Sequence, residues 1–366
     1  MEGEVVDKKS TRTLEQLAQY ISLTPHEKRE IAGVIENHPM LVNQYYMNLI
    51  NWNDPDDPIR KMAIPSLQEK SLAGSFDTSG EHENTKFCGL QHKYPETALI
   101  LCSNNCATYC RYCFRKRFVG ISNNEIVKDW DKVVNYISEH REITNVLLSG
   151  GDPLMLATDR VVNILHRLSV IPQLKFVRIG TRVPVVYPSK IIKDNELVNA
   201  LKEYSSIHKR LYITTQFNHP KEITPESIAA INKLLDAGII INNQTVLLKG
   251  VNDNSAVMAE LQSLLTKIGV VPYYIFQCRP VKRIASNFQV PLYRACDIIE
   301  ETRSTLDGFS KRFRFIMSHK IGKIEILGRI GELLYFKYHQ SKNKQLRGKM
   351  FHRKLQKNDC WLPVEP

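Results

Sequence analysis

No stretch of this chain stays apolar for long. Its longest such runs, at 98–102 and 269–276, fall far short of the roughly 20 residues that cross a bilayer. Charged residues interrupt the first ten positions, so no secretory signal is expected there and the chain reads as cytoplasmic. Glycine and proline number 17 each in 366 residues, too few for a collagen-like or low-complexity chain, and 43% hydrophobic residues are too many for wholesale disorder. Cysteine is confined to eight positions, which excludes a disulfide-built scaffold at this length. What remains is a globular chain with enough apolar material for a sizeable core.

The net charge of +12 has an address. Between positions 311 and 358 there are 14 Lys or Arg against Glu325 and Glu332, so the remainder of the chain is balanced at 36 and 36. A local basic field of this kind favours an anionic partner. A nucleic acid or an acidic protein would suit it, with Phe336, Tyr338 and Phe351 interleaved among the cations. The simpler reading is a solvated face over packed aromatics.

The pattern of elements divides the chain at 1–90, 91–306 and 307–366. The first part reads as helices and loops, with a turn-rich NDPDDPIRK stretch. From position 98 onward, apolar strands alternate with helical spacing. The strands are expected at 98–102, 145–148, 176–179, 211–215, 241–246 and 271–276. Six βα units argue a parallel sheet covered by helices. Because polar clusters recur after strand C-terminal ends, a partial (β/α)6 barrel fits better than a doubly wound sheet. Residues 307–366 form a small basic extension with short strands.

Directly after the first strand comes Cys106-Ala-Thr-Tyr-Cys110-Arg-Tyr-Cys113. Three thiolates at this spacing can hold three irons of a [4Fe-4S] cluster and leave the fourth open. A structural zinc site wants four closed ligands, and ferredoxin runs supply a fourth cysteine at another spacing. Cys102 lies inside the strand and reads as a small hydrophobe. After the second strand stands Ser149-Gly150-Gly151-Asp152-Pro153, whose glycines allow close backbone approach and whose acid can accept from an ammonium.

This combination resembles the radical S-adenosylmethionine (SAM) superfamily, in which SAM chelates the open iron and is cleaved to a 5′-deoxyadenosyl radical that abstracts hydrogen. The stretches DPDDPIRK, CRYCFRKRFVG, SGGDPLML, RIGTRVPVV, FNHPKEIT, NNQTVLLKGVND and PYYIFQC occur in one order. Together they resemble lysine 2,3-aminomutase and its relatives. The resemblance implies a metal-binding enzyme, an isomerase or oxidoreductase, with Cys106, Cys110 and Cys113 as cluster ligands. It places Ser149, Gly150, Gly151, Asp152, Arg182 and Gln244 around SAM, and Arg115 on the substrate α-carboxylate. It also implies a small amino-acid-like substrate, no membrane, and a reductant such as a flavodoxin or ferredoxin. Relatives form dimers and tetramers, which leaves a homo-oligomer open.

Two departures bear on chemistry. The family carries pyridoxal phosphate on a lysine after a run of glycines; here only Gly322-Lys323-Ile324 survives, and Thr97 replaces a basic residue beside Lys93 and Tyr94. This weighs toward an enzyme without pyridoxal phosphate, the alternative being an aminomutase that uses Lys323. At the substrate end, Arg279 follows Gln277-Cys278 where the family has an aspartate, and Ile316 replaces a second acid. A lysine ammonium would be repelled, and an anionic substrate is expected. The family's inter-subunit zinc site has no counterpart, since Asn254 replaces its loop cysteine and the tail offers Cys360 alone.

Overall fold

A computed structural model describes residues 10–121, 124–205 and 209–363. The charged segment 1–9, on which the expectation about a secretory signal rested, lies outside them. All twelve strands join one sheet in sequence order. They are β1 (Thr85–Phe87), β2 (Leu90–Tyr94), β3 (Thr97–Ser103), β4 (Asn145–Gly150), β5 (Phe176–Gly180) and β6 (Arg210–Thr215), then β7 (Ile240–Leu247), β8 (Val271–Gln277), β9 (Arg314–Ser318), β10 (Gly322–Ile330), β11 (Leu333–Ser341) and β12 (Met350–Arg353). Strands β3 to β9 are parallel, and antiparallel ribbons extend both edges. The parallel sheet therefore runs one strand past the sixth unit, because β9 pairs with β8 in parallel.

Five crossover helices cover the sheet: α1 (Trp130–Glu139), α2 (Thr158–Ser169), α3 (Asn195–Tyr204), α4 (Pro225–Asp236) and α5 (Ser255–Lys267). A final helix, α6 (Leu292–Thr305), precedes β9. Their starts follow local chemistry. Asp129 accepts from the Lys132 amide and opens α1; Thr224 and Ser227 form a reciprocal cap ahead of α4, with Pro225 at its first turn. Asn254 accepts from the Ala256 and Val257 amides and caps α5. In α2 the buried residues Val161, Ile164, Leu165 and Leu168 follow the helical period and face the sheet. Each such side chain contributes about 1.5–3 kcal/mol by leaving water.

The strands alternate rather than running apolar throughout. Val146, Leu148, Val177, Ile179, Leu211, Ile213 and Ile241 point outward beneath the helices and are buried. Leu147, Ser149, Arg178, Gly180, Thr214, Gln244 and Val246 point inward and line a cavity. The barrel interior is thus a chamber, not a filled core.

The N-terminal layer braces the loop after β3. Val42 bridges to Thr108, the Tyr109 amide donates to Leu41 O (2.7 Å) and the Arg111 amide to Met62 O (2.8 Å). The NDPDDP stretch does more than turn: Asp57 accepts from the Arg60 amide (2.9 Å) and starts a short helix, Pro58–Ala63.

Candidate active site

One cavity of about 360 Å³ gathers the site residues expected from distant parts of the sequence. Cys106, Cys110 and Cys113 line it from the loop after β3, and Ser149, Gly150, Gly151 and Asp152 from the end of β4. Arg182, Gln244, Arg279 and Lys323 enter from β5's loop, β7, the end of β8 and β10, and Arg115 from just beyond the cysteines. Lys93, Tyr94 and Thr97 close the opposite end. Six of the lining side chains are basic (Lys93, Arg115, Arg178, Arg182, Arg279, Lys323) and two are acidic (Glu81, Asp152), so the chamber is cationic.

At the strand C-terminal end, the loop carrying the cysteines and the loop after β4 are in direct contact. The Gly151 amide donates to Ser103 O (2.6 Å) and the Asp152 amide to Asn105 O (2.7 Å). A Cβ on Gly150 would lie 2.2 Å from Ser103 O, and one on Gly151 would lie 2.3 Å from Asn105 O. These glycines are therefore required by the packing of one loop on the other. Asp152 is buried, and its carboxylate accepts from the Leu154 and Arg182 amides (3.0 and 2.7 Å). It ties the β4 loop to the β5 loop, with burial pushing its carboxyl above the ordinary range despite these donors.

Arg182 is held from several sides. It donates to Glu222 (2.5 Å), to Gln216 O (3.0 Å) and to the Cys110 sulfur (2.6 Å). Glu222, fully buried, also accepts from Tyr46 (2.6 Å). The cysteine loop is thus fixed at its middle sulfur by a guanidinium whose own charge is balanced.

The three sulfurs fit a cluster. They line one cavity from one loop, and burial together with their mutual repulsion pushes Cys106 up and Cys113 up to about 11. Iron would reverse that, since coordination deprotonates a thiol outright. Among the described residues, no three Cys, His, Asp or Glu converge as a mononuclear site demands. A cluster needs one sulfur per iron instead. Cys102 is buried, absent from the cavity lining, and directs its sulfur to Ile100 O (3.6 Å).

Comparison with known proteins gives the family. Residues 100–261 match the Radical SAM superfamily model. An Aquifex aeolicus relative that bears the L-lysine 2,3-aminomutase name provisionally is 41% identical over 339 residues, 92% of this chain and 90% of its own. The L-lysine 2,3-aminomutase of Clostridium subterminale is 41% identical over 81% of this chain and 70% of its own. The chain belongs to the lysine 2,3-aminomutase family of radical SAM enzymes. The glutamate 2,3-aminomutase of Clostridioides difficile is a further relative, 37% identical over 81% of this chain and 69% of its own.

As a member of this family, the enzyme works with a [4Fe-4S] cluster and SAM. Arg115 is buried and donates to Ser149 Oγ (2.9 Å); its Nε makes no hydrogen bond and stands 3.6 Å from Glu81. Arg279 lies over the Phe114 ring (4.1 Å) and donates to Ser79 Oγ (2.9 Å) and Ser318 Oγ (3.0 Å). Lys323 is the second residue of β10 and lies opposite Gln340, to whose side chain it donates (3.0 Å). A Cβ on Gly322 would meet Gln340 O at 2.0 Å, so this one surviving glycine serves the β10–β11 pairing. A strand, not a loose loop, presents the lysine. Burial and the nearby Arg178, Lys93 and Arg279 push its ammonium down to about 7. Lys93 also falls to about 7, chiefly through burial, and donates to Ser79 O (2.9 Å) and His319 O (2.8 Å).

Ser79, Glu81, Arg178, Ser318 and Gln340 were not singled out by the sequence. Only Arg178 had a local signal, a charge between Val177 and Ile179 in an otherwise apolar strand.

Proposed function

We propose that the enzyme is an amino-acid 2,3-aminomutase in which Lys323 carries pyridoxal phosphate. The observation behind this reading is Lys323 itself. Its amine lies in the chamber shared with the cysteine loop, between the Tyr94 and Tyr274 rings (5.7 and 5.3 Å to the centroids). A desolvated lysine among other cations is the kind that reacts with a carbonyl near neutral pH. These surroundings outweigh the loss of the glycine run, which had favoured an enzyme without this cofactor.

The residue roles follow. Cys106, Cys110 and Cys113 would hold three irons of the cluster, which would supply an electron for the cleavage of SAM. Ser149, Gly150, Gly151, Asp152, Arg182 and Gln244 border the SAM side of the chamber. Pyridoxal phosphate, held by Lys323, would supply an aldehyde for the substrate nitrogen and a conjugated ring able to delocalise an unpaired electron. Arg115, fixed by Ser149 and Glu81, offers its guanidinium to the α-carboxylate.

Arg279, with Ser79 and Ser318, reads the far end of the substrate and favours an anionic side chain. A cationic side chain would have to take Glu81 from both Arg115 and Arg117 (2.9 Å to the latter), since the other acid that lines the chamber among the described residues, Asp152, is engaged by backbone amides. The relative named glutamate 2,3-aminomutase is consistent with such a substrate. Arg279→Asp is expected to weaken L-glutamate binding at least about tenfold and to improve L-lysine binding. Tight lysine binding by the unaltered enzyme, with glutamate inert, would reverse this assignment.

The basic C-terminal region is less suited to a macromolecule than its charge suggests. Lys320, Arg329 and Arg347 pair with Glu83, Asp297 and Glu96, and Lys323 turns inward. Phe336 is buried and stacks on Phe351 (5.2 Å), which in turn stacks on Tyr338 (4.7 Å). The electron donor and the oligomeric state we take to be those of the family, a small reducing protein and a homo-oligomer. No helix among the described residues is long and apolar enough to cross a membrane.

Incubation of the full-length chain with pyridoxal phosphate, then borohydride, is expected to leave the cofactor's mass on the Lys323 peptide and nowhere in Lys323→Ala. The rate of capture should rise about tenfold per pH unit below pH 7 and level off above it, because the lowered ammonium is mostly neutral beyond about 7. Labelling that is unchanged in Lys323→Ala would remove the lysine from this role.

A further inference from the structure

At the N-terminal end of the parallel strands, opposite the cysteine loop, the chamber gathers Arg178, Lys93 and Lys323, and among the described residues no carboxylate forms an ion pair with any of them. Arg178 projects inward from the middle of β5. One guanidinium nitrogen donates to Asn145 Oδ1 (2.7 Å), the same oxygen that accepts from Thr97 Oγ1 (3.1 Å). Its Nε is buried and makes no hydrogen bond. Lys93 and Lys323 both lie by the Tyr94 ring (5.8 and 5.7 Å). The two acids of the chamber are occupied elsewhere, Glu81 by Arg115 and Arg117 and Asp152 by backbone amides at the far end.

Burying cations without a counter-charge is costly, and an unsatisfied guanidinium nitrogen adds to that cost. A dianion seated between Arg178 and Lys93 would remove both penalties. Thr97 bears on the same point. Its hydroxyl lines the chamber, and Asn145 links that hydroxyl to the Arg178 head group. We infer that Arg178 binds the phosphate of pyridoxal phosphate, with its unpartnered Nε and the neighbouring Lys93 as donors. This rests on the reading of Lys323 given above and adds to it a residue and a ligand group.

The test separates the phosphate from the rest of the cofactor. The full-length enzyme is titrated with pyridoxal 5′-phosphate and, separately, with pyridoxal, and binding is followed by absorbance. Arg178→Met is expected to weaken pyridoxal 5′-phosphate about tenfold to a hundredfold, the scale of one lost charge-assisted bond, while leaving pyridoxal unchanged. Arg178→Lys should keep part of the preference. Thr97→Lys added to Arg178→Met should restore part of it, which a merely misfolded variant could not do. Equal weakening of both ligands, or of neither, overturns the role of Arg178. If the unaltered enzyme takes up neither ligand, the reading of Lys323 fails first and the phosphate site fails with it.

Discussion

Alanine at Cys106, Cys110 or Cys113 is expected to reduce 5′-deoxyadenosine formation to the protein-free level while leaving the chain folded. The loop that carries the three cysteines does not depend on the cluster for its shape. It is pinned by the Tyr109 and Arg111 amides to the N-terminal layer, by Gly151 and Asp152 to the β4 loop, and by Arg182 at Cys110. Loss of one partly exposed thiol therefore costs little folding energy, but no other sulfur can replace it. Cys102 is outside the chamber lining, and Cys278, which does line it, comes from the end of β8 and not from the cysteine loop. Iron content and 5′-deoxyadenosine yield, measured after anaerobic reconstitution beside a thermal unfolding curve, check this. Full activity in any one variant removes that cysteine from the ligand set.

The cysteine loop was legible because its signal is local: a spacing that only a few chemistries use, set after an apolar strand. The same holds for the six strands, each a short apolar run whose position in the sheet follows from the βα alternation. Strands β1 and β2 were not legible. They are three and five residues long, flank a tight turn at Gly89 (φ +83°), and keep polar residues on show. Asp152 was read as an ammonium acceptor from its chemistry alone, yet it also fastens two loops through backbone amides, which composition cannot reveal. Ser79 and Ser318 illustrate the limit most directly. They lie 239 positions apart, both are ordinary serines in sequence, and they acquire meaning only because Arg279 donates to both.

Glu69 should prove as important as the cysteines while never touching the reaction. It is fully buried beneath the cysteine loop, where it accepts from Arg111 (2.9 and 2.6 Å) and Lys116 (2.5 Å). Arg111 lies inside the cysteine motif and also donates to His38 O (3.4 Å) and Pro39 O (3.1 Å), so the carboxylate anchors the loop to the N-terminal layer. Two cations share one acid here, and burial already pushes Lys116 down to about 8. Removing the acid strands both, at a cost of about 3–5 kcal/mol, a large share of the roughly 5–15 kcal/mol that holds a domain together. Glu69→Gln is therefore expected to lower the urea midpoint markedly and to reconstitute with substoichiometric iron. Adding Lys116→Met removes one of the stranded charges and should recover part of the stability. The folded-state ammonium of Lys116 lies below its unfolded value, so the unaltered protein gains stability from this group as pH rises from about 8 toward 10, and loses that gain below about 8. In Glu69→Gln the ammonium loses its partner, falls further, and the same rise should begin at lower pH. An unchanged urea midpoint in Glu69→Gln, with a full complement of iron, would mean that the loop holds its place without this ion triad.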